Sequence, residues 1–338
     1  MNILVTGGAG YVGSVLITEL ISKGNNIKCL DRFFFGNEYL GQKKFQKNIQ
    51  LIRHDIRWFD QKILDDVDIV LDLAALSNDP VGELNSQKTF EINHLGRVRV
   101  AELAKKMGVK QYILASSASI YGQQEGIVNE ESSIKPLTAY SKANRKAEEG
   151  ILSLNDNSFT TTALRFSSVY GASPRMRFDT AVNCMVLDLF KKKKIMIKGP
   201  ENKRPFIHIL DTVKGYLSVI NAEKELIGGE IFNVGSDEQN FSMIDLGKKI
   251  GDSINKEYEL IVEDSPDNRS YFASYEKIKK TLNFKTEHTI EEGTIEMYKK
   301  LENGTLQDDI KTRTVEWYKK LLSNNVLSKD LLLNDVLL

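Results

Sequence analysis

The sequence predicts an α/β protein built on a doubly wound parallel sheet, followed by a smaller α/β lobe. Apolar strands and helical segments alternate through the first half of the 338 residues. The first strand, residues 1–6, runs directly into the glycine-rich turn GGAGYVG at residues 7–13. Strand segments such as residues 68–74 are rich in Val, Ile and Leu, which is typical of parallel strands buried on both faces.

The glycine turn is the first element with a chemical meaning. Glycine tolerates positive φ, so the backbone can turn tightly and approach a bound group. The helix predicted at residues 14–23 would offer free N–H groups and a partial positive charge to an anion. Because the last glycine also lets this helix pack closely on the strand, the pattern predicts a site for the pyrophosphate of a dinucleotide.

The second strand, residues 27–30, ends at an acidic residue. Asp31 follows Gly13 by 18 residues. A carboxylate at this position can bond to the ribose hydroxyls of NAD and repels the 2′-phosphate of NADP. Arg32 could instead meet a 2′-phosphate, so the sequence favours NAD and leaves NADP open.

The remaining elements complete a Rossmann pattern. Further strands are predicted at residues 49–52, 68–74, 111–116 and 159–166, and helices at residues 87–107 and 139–154. This alternation is that of a doubly wound sheet. After Gly171 the predicted elements are shorter, at residues 179–190, 195–197, 211–221 and 230–234, with later helices beginning near residues 242, 275, 289 and 312.

The two halves are not separated by a linker rich in Pro, Gly or Ser, so we expect two lobes that pack together and exchange segments. The predicted division is a Rossmann NAD-binding domain at residues 1–170 with a crossover segment at about 205–235, a C-terminal α/β substrate lobe at 171–204 and 236–325, and a tail at 326–338 with no assigned role.

Composition excludes several classes of function. The chain has 46 Lys and Arg and 46 Asp and Glu, so it has no net charge to attract nucleic acid or an anionic membrane. Cys29 and Cys184 lie in apolar segments and are expected to be reduced core residues. The histidines show no spacing typical of a metal site, and none is predicted. No basic segment precedes the first strand and no apolar run approaches about 18 residues, so a cytoplasmic protein is expected.

Candidate catalytic residues follow the fifth strand. That strand leads into SSASIYG at residues 116–122, and TAYSKAN at residues 138–144 opens a helix. A serine hydroxyl and a tyrosine phenol beside a nicotinamide can deprotonate an alcohol while hydride leaves its carbon. The phenol must be activated, because its ordinary pKa is about 10. Taken alone, these serines could merely cap a turn, and the tyrosine could be a packing residue.

These motifs together resemble a known family. The glycine turn, Asp31, Asp55-Ile56, Leu73-Ala74-Ala75, Asn93, the serine-rich strand end, Tyr140 and RPFIH at residues 204–208 occur in the order found in extended short-chain dehydrogenases/reductases. The subgroup that the chain resembles is the NAD-dependent nucleotide-sugar epimerases and dehydratases, in particular UDP-glucose 4-epimerase. The resemblance extends to about residue 321. It implies NAD as cofactor, a nucleotide-diphosphate sugar as substrate, and a homodimer formed through the helices at 87–107 and 139–154.

The resemblance also implies residue roles. Tyr140 would be the catalytic base, with Ser117 beside it and Asn144 at the third catalytic position. Cofactor contacts are implied for Gly7, Gly10, Tyr11, Val12, Gly13, Asp31, Arg32, Asp55, Ile56, Leu73, Ala74, Ala75, Tyr140 and Asn144. Substrate contacts are implied for Ser117, Ser168, Arg175, Arg177, Arg204 and Arg269, of which Arg204 and Arg269 would grip the diphosphate.

Asn144 departs from the family pattern, which places a lysine four residues after the tyrosine. That spacing puts both side chains on one helix face, where the charge lowers the tyrosine pKa. Lys142 and Lys146 lie about 200° and 240° round the helix and cannot stand in. Three interpretations stay open: a subgroup trait, a change that slows catalysis, or a protein that binds NAD and a sugar nucleotide without turnover.

A second departure narrows the reaction. The family's 4,6-dehydratases carry an Asp-Glu pair after the catalytic hydroxyl, and Ala118-Ser119 stand there instead. Neither side chain can protonate a leaving hydroxyl. The hypothesis is therefore epimerisation through transient oxidation of one sugar carbinol, at C4. The alternatives are a one-way C4 dehydrogenase or keto-reductase, and a non-catalytic binder.

Overall fold

The computed structural model describes residues 1–264 and 269–338. Its strands, in chain order, are β1 (Asn2–Thr6), β2 (Asn26–Asp31), β3 (Ile49–Arg53), β4 (Ile69–Asp72), β5 (Gln111–Ser117), β6 (Gln123–Val128), β7 (Thr160–Phe166), β8 (Ser168–Tyr170), β9 (Lys194–Lys198), β10 (Lys203–His208), β11 (Glu230–Val234), β12 (Asn240–Ser242), β13 (Glu259–Glu263) and β14 (Ser270–Ala273).

The α-helices, in chain order, are α1 (Tyr11–Ser22), α2 (Asp79–Gly82), α3 (Ser86–Phe90), α4 (Arg97–Lys106), α5 (Ala139–Leu152), α6 (Ala181–Lys192), α7 (Ile209–Ile220), α8 (Lys224–Ile227), α9 (Met243–Asp252), α10 (Glu276–Leu282), α11 (Ile290–Glu302), α12 (Thr314–Ser323) and α13 (Asn325–Ser328). Over the described ranges, no helix combines the length and the apolar character that crossing a bilayer would need.

The large sheet has the strand order β3-β2-β1-β4-β5-β7-β11, and all its neighbours are parallel. Both faces are covered, and β1 shows why its sequence is continuously apolar. Ile3 and Val5 pack into one core cluster, together with residues of α1 and α7, whereas Leu4 packs into a second cluster with residues of α4 and α5. The predicted Rossmann sheet is confirmed.

The strand order reverses between β1 and β4, which are neighbours although β2 and β3 come between them in the chain. Connections from these two strands leave on opposite sides, so a crevice opens at their carboxyl ends. Gly7, which follows β1, and Leu73, which follows β4, stand at this crevice. This topology places the predicted cofactor motifs together.

The smaller lobe is built from short sheets and three helices. β10 pairs with β8 and β12, β9 with β13, and β6 with β14. Helices α6, α9 and α11 pack with β9 around a separate core that contains Val186, Leu246 and Met297, whereas β6 and β14 pack into the core cluster of the large sheet. The sequence did not predict β6, β10 or β14. Their partners lie far away in the chain, so pairing rather than local propensity makes them strands.

The chain returns to the large sheet after entering this lobe. β11 pairs in parallel with β7 at the sheet edge, and α7 packs beside α1. The segment at about 205–235 therefore contributes to both lobes. The exact domain limits stay a prediction.

The helix predicted at residues 87–107 is divided by a π-helical turn at Glu91–Gly96. Asn93, inside this turn, donates to the Leu76 carbonyl at 3.0 Å and accepts from the Leu76 N–H at 2.8 Å. Asn93 thus bonds to backbone. A π-turn inserts one residue into the helical repeat, and α4 then begins at Arg97, whose side chain is buried.

The tail folds back on the Rossmann domain. The guanidinium of Arg32 donates to the carbonyls of Leu331 at 3.0 Å and Val336 at 2.8 Å. The ring N–H of Trp317 donates to the Phe34 carbonyl at 2.8 Å, and Leu338 packs in the same cluster. Residues 326–338 therefore cover the region just after β2.

Candidate functional site

A cavity of about 880 Å³ opens at the carboxyl ends of β1, β4 and β5, and the smaller lobe forms its other wall. It brings together every predicted site residue except Asn144. The lining includes Gly7, Gly10, Tyr11, Val12, Gly13, Asp31, Arg32, Asp55, Ile56, Leu73, Ala74, Ala75, Ser117, Tyr140, Ser168, Arg175, Arg177, Arg204 and Arg269.

The glycine turn leaves no room for side chains. Gly7 has φ +66°, and a Cβ there would stand 2.8 Å from the backbone of Ala74. A Cβ on Gly13 would stand 2.7 Å from the Gly7 carbonyl oxygen. Gly10 precedes α1 without a side-chain cap. The N–H groups of the first turn are thus left for an external acceptor, which fits the pyrophosphate of a dinucleotide.

Asp31 is the charged group at the adenosine end. Its carboxylate accepts the backbone N–H of Ala9 at 3.0 Å and that of Phe33 at 2.7 Å. Burial raises the pKa of Asp31, and these N–H groups act against the rise. A carboxylate held in this way keeps lone pairs for ribose hydroxyls.

Arg32 is occupied elsewhere, which bears on the choice between NAD and NADP. Nη1 of Arg32 donates to Asp55 at 2.8 Å, and Nη2 donates to the two tail carbonyls. Only Nε lacks a partner in the part of the chain that the structure describes. The Arg32 guanidinium is thus committed to protein acceptors rather than to a 2′-phosphate.

Asp55 lies between two arginines. Besides Arg32, Arg57 donates to it through Nε and Nη2, each at 2.9 Å. Burial raises the pKa of Asp55, but the hydrogen bonds from Arg57 and Arg32 outweigh burial and hold that pKa below its usual value. Asp55 is therefore an ionised, fixed part of the cavity wall.

Ser117 and Tyr140 meet at the other end of the cavity. Ser117 is the last residue of β5, where its hydroxyl donates to Ser119 Oγ at 3.0 Å and caps the short 3₁₀ turn at Ala118–Tyr121. Tyr140 lies in the first turn of α5, which Thr138 caps. The serine is thus both a turn cap and a wall residue beside the phenol.

The pKa of Tyr140 reflects opposing influences. Burial raises it, and the Asp79 carboxylate raises it further. The Arg97 guanidinium and the side chains of Ser117 and Asn144 lower it, but the pKa of Tyr140 stays above its ordinary value. In this state the phenol is neutral at physiological pH.

Asn144 stands behind Tyr140 and does not reach the cavity wall. Its side chain is 1% exposed, and its Oδ1 accepts from Arg97 Nη1 at 2.9 Å. Within residues 1–264 and 269–338, its Nδ2 has no hydrogen-bond partner. Lys142 and Lys146 are exposed, so the prediction that neither stands in for the missing lysine is confirmed.

Sequence reasoning missed Arg97. The signal was present, because Arg97 shares a helical stripe with Val100, Ala101 and Ala104, which are all fully buried. A charge at such a position needs a buried partner. That partner, Asp72, lies on another element, so the pair was not recognisable from local sequence.

Two arginines of the 175–177 segment line the cavity with unpaired donors. Arg177 donates through Nε to Asp179 at 2.8 Å, and its Nη2 is buried without a partner among the described residues. Arg175 lies over the Phe35 ring at 3.6 Å from its centre and donates to Thr314 at 3.1 Å. This wall of the cavity suits an anionic group.

Arg204 and Arg269 lie at the same cavity, close to each other. Arg204 donates to the backbone carbonyls of Lys203 and Arg269. Arg269 forms an ion pair with Asp79. Ser168, at the start of β8, is exposed to the cavity. Their contacts with a substrate stay predictions.

The remaining candidates have structural surroundings. His208 is 1% exposed, accepts from the Leu210 N–H at 3.4 Å and stacks on His288 at 4.5 Å, as expected of a core histidine. Cys29 and Cys184 are free thiols, and Cys184 lies in the cavity wall rather than the core. No cluster of His, Cys, Asp or Glu in the described ranges has the arrangement of a metal site.

Comparison with known proteins agrees with this site. A family model described as the NAD dependent epimerase/dehydratase family matches residues 3–235. UDP-glucuronic acid decarboxylase 4 of Arabidopsis thaliana is 27% identical over 314 residues, which cover 88% of this chain and 68% of that protein. An uncharacterized UDP-glucose epimerase of Bacillus subtilis is 30% identical over 251 residues, which cover 71% of this chain and 78% of that protein.

Solved structures agree as well. UDP-glucuronic acid 4-epimerase from Bacillus cereus, in complex with UDP-glucuronic acid and NAD, superimposes with a TM-score of 0.81 at 25% identity, covering 90% of this chain and 99% of that chain. An NAD-dependent NDP-hexosamine 5,6-dehydratase involved in tunicamycin biosynthesis shares the fold, with a TM-score of 0.77 at 20% identity over 91% of this chain and 98% of that chain. Epimerisation, decarboxylation and dehydration thus all occur on similar chains, and the residues must distinguish them.

Proposed function

This chain belongs to the NAD dependent epimerase/dehydratase family, and we propose that it is a nucleotide-sugar 4-epimerase that acts by transient oxidation of the sugar C4 carbinol. The observation that carries the proposal is the meeting of Ser117 and Tyr140 in one cavity with the glycine cradle. Beside them, Ala118 and Ser119 supply no carboxylic acid for water elimination.

NAD is the cofactor of this family, and the residues present fit it. The crowded glycines Gly7 and Gly13 and the start of α1 would hold the pyrophosphate, and Asp31 would hold the adenosine ribose. Bound there, NAD would supply reversible hydride transfer at the sugar carbon.

The chain's own residues handle the proton. In its ionised form, Tyr140 takes the proton from the C4 hydroxyl and later returns it, because the same atom must serve both half-reactions. Ser117 holds the sugar oxygen with its hydroxyl. Between the two half-reactions the keto sugar must turn over within the cavity.

Asp79 is the carboxylate that could serve as an acid for water elimination, but other protein groups already bind it. It accepts from Thr138 and pairs with Arg269. Both contacts of this carboxylate are thus made to protein groups, a hydroxyl and a guanidinium. This supports chemistry at one carbinol over dehydration.

A second candidate is decarboxylation of a nucleotide-linked uronic acid, favoured by Arg177. Its unpartnered, buried Nη2 suits a sugar carboxylate. Once C4 is a ketone, the C6 carboxylate is that of a β-keto acid. The C5–C6 bond then breaks to release CO₂, and C5 takes up a proton, without the Asp-Glu pair.

The test is incubation of the protein with NAD and a panel of UDP-, dTDP-, GDP- and CDP-sugars that includes UDP-glucuronic acid, with chromatography of each product. An isomeric sugar without net NADH would support the epimerase. A product lighter by CO₂ would support the decarboxylase, and stoichiometric NADH with a keto sugar would support a dehydrogenase.

Tyr140→Phe is the control for each arm of the panel. If it converts a sugar as fast as the parent protein, Tyr140 is not the base and the proposed mechanism is wrong. If the parent protein binds a sugar nucleotide and yields neither NADH nor product with any sugar, the chain is a binder rather than an enzyme.

We also propose a homodimer formed through residues 87–107 and 139–154. On the first of these segments, Leu95 is 57% exposed. Sedimentation of the protein and of Leu95→Glu would test this, because a charge in an apolar interface disfavours association. A monomeric parent protein would contradict it.

A further inference from the structure

A phenol acting as a base inside a protein needs a positive charge near it, because burial disfavours the tyrosinate. Asn144 stands where the family's lysine would provide that charge. The charged groups that face Tyr140 are Asp79 from α2, Arg97 from α4 and Arg177 from the smaller lobe. Both arginines are paired with a carboxylate, Arg177 with Asp179 and Arg97 with Asp72. Of these two arginines, Arg97 is the one hydrogen-bonded to the helix that carries Tyr140, through Asn144.

The Arg97 guanidinium is fixed by hydrogen bonds on every side. Nε donates to the Asp72 carboxylate at 2.9 Å, and Nη2 donates to the carbonyls of Asp72 at 2.8 Å and Ala115 at 2.7 Å. Nη1 donates to Asn144 Oδ1 at 2.9 Å. The group is 1% exposed, so water does not screen its charge.

The negative charge that pairs with Arg97 lies at a different edge of the guanidinium from Asn144. Asp72 meets the Nε edge, and its carboxylate also accepts from the Thr6 hydroxyl at 2.5 Å and the Tyr112 hydroxyl at 2.6 Å. The opposite edge, Nη1, faces Asn144, one helical turn after Tyr140. The ion pair is therefore oriented, with Asp72 at the Nε edge and the helix that carries Tyr140 at the Nη1 edge.

We propose that Arg97, linked to Tyr140 through Asn144, provides the positive charge that the family's lysine otherwise brings to the catalytic tyrosine. Arg97 is a positioning residue, because it acts through Asn144 and Tyr140 and does not line the cavity. Asn144 and Arg97 then replace the family's lysine together. The amide oxygen of Asn144 accepts a hydrogen bond from the Arg97 guanidinium, which a lysine ammonium at position 144 would repel. This inference rests on the proposed base role of Tyr140.

The direct test compares Arg97→Met with a matched control, Arg165→Met. Arg165 of β7 forms a second fully buried ion pair, with Glu148 of α5, and in both pairs the arginine is 1% and the carboxylate 0% exposed. Arg97→Met should move the acidic limb of the kcat/KM pH profile upwards by about 1–3 pH units. Arg165→Met should lose stability without moving that limb.

Two further variants keep the inference testable if Arg97→Met folds poorly. Asn144→Leu breaks the link and leaves the Arg97–Asp72 pair intact, and it should move the limb in the same direction by a smaller amount. Arg97→Met combined with Asn144→Lys should restore the limb, because the lysine returns the charge at the family's position. Failure of this rescue in a folded protein would overturn the inference.

A readout independent of turnover is the ionisation of Tyr140 itself. The ultraviolet difference absorbance of tyrosinate, measured against Tyr140→Phe in the same background, gives its titration with and without NAD. The Tyr140 titration should move to higher pH in Arg97→Met and stay unchanged in Arg165→Met. An unchanged titration in folded Arg97→Met would overturn the role of Arg97.

These outcomes separate the inference from the function on which it rests. If Tyr140→Phe retains full turnover, the proposed base fails, whatever Arg97 does to the titration. If Tyr140→Phe is inactive and Arg97→Met keeps both the pH profile and the titration of the parent protein, only the assignment of Arg97 fails.

Discussion

The two ends of the cavity are built in different ways. The cofactor end is made from consecutive residues, Gly7 to Gly13, with Asp31 at the end of the neighbouring strand. The catalytic end draws on four separate segments, which bring Asp79, Arg97, Ser117 and Tyr140 together. The shape of the backbone defines the cofactor end, whereas the balance of buried charges defines the catalytic end.

The difference shows what each kind of site tolerates. A backbone cradle fails when a side chain intrudes, since the distances there are close to contact. A charge balance can be kept by different residues, provided that the charge stays in place. This is why a chain can lack the family's lysine and retain a cation beside its tyrosine.

The largest expected effect is a loss of turnover that comes from the catalytic end and not from the cofactor end. Tyr140→Phe should lower kcat by about 10²–10⁴-fold, the usual contribution of a positioned base, and change the NAD affinity far less. Single-turnover kinetics and calorimetric NAD titration would check this. An equal loss of NAD affinity would mean that the two ends are not independent.

Gly13→Ala should have the converse effect, on NAD binding rather than on the catalytic step. Its Cβ would stand 2.7 Å from the backbone of Gly7 and Gly8, so NAD affinity should fall by about 10- to 100-fold, the equivalent of about 1–3 kcal/mol of overpacking. Gly41→Ala is the matched control, because its nearest atom would be 3.3 Å away. Equal NAD affinities for the two variants would contradict the cradle.

Deleting residues 326–338 should change the choice of cofactor. The deletion removes the carbonyls of Leu331 and Val336 that hold Arg32. Loss of about 1 kcal/mol of hydrogen bonding would free this guanidinium and narrow the preference for NAD over NADP by roughly fivefold. Titration with both cofactors would measure the ratio. Adding Arg32→Ala to the deletion should restore the preference.

The smallest expected effect is a loss of thermal stability at acidic pH that depends on Asp55. Because Arg57 and Arg32 hold its pKa below the unfolded value of about 3.9, Asp55 stabilises the fold above that pH and loses this contribution as pH falls through the folded pKa. Between pH 6 and pH 3, the melting temperature should therefore fall more steeply in the parent protein than in Asp55→Asn. Parallel curves would show that Asp55 does not contribute in this way.

Much of the cofactor end was predictable, because its geometry is encoded locally. A strand, a glycine turn and a helix follow each other directly, and steric limits on φ leave little choice at Gly7. The large sheet was predictable for a similar reason, since its central strands β1 and β4 are apolar on both faces. The short strands β6 and β14 were not predictable, because Gln123–Val128 is mostly exposed and becomes a strand only by pairing with Ser270–Ala273. Strand β10 was not predictable either, because it depends on pairing with β8 and β12.

The sequence by itself therefore determined the Rossmann sheet and the cofactor cradle, because short-range periodicity and steric constraints act within a few residues. The pairing of Ser117 with Tyr140, which lie on different elements, was implied only by the resemblance to a family. Only the tertiary structure decided which acceptors hold Arg32 and which cation faces Tyr140. Both depend on buried partners more than 20 residues away, Asp55 and the tail for Arg32, and Asp72 and Asn144 for Arg97. Buried charges select such partners through desolvation, which acts only after the chain has folded.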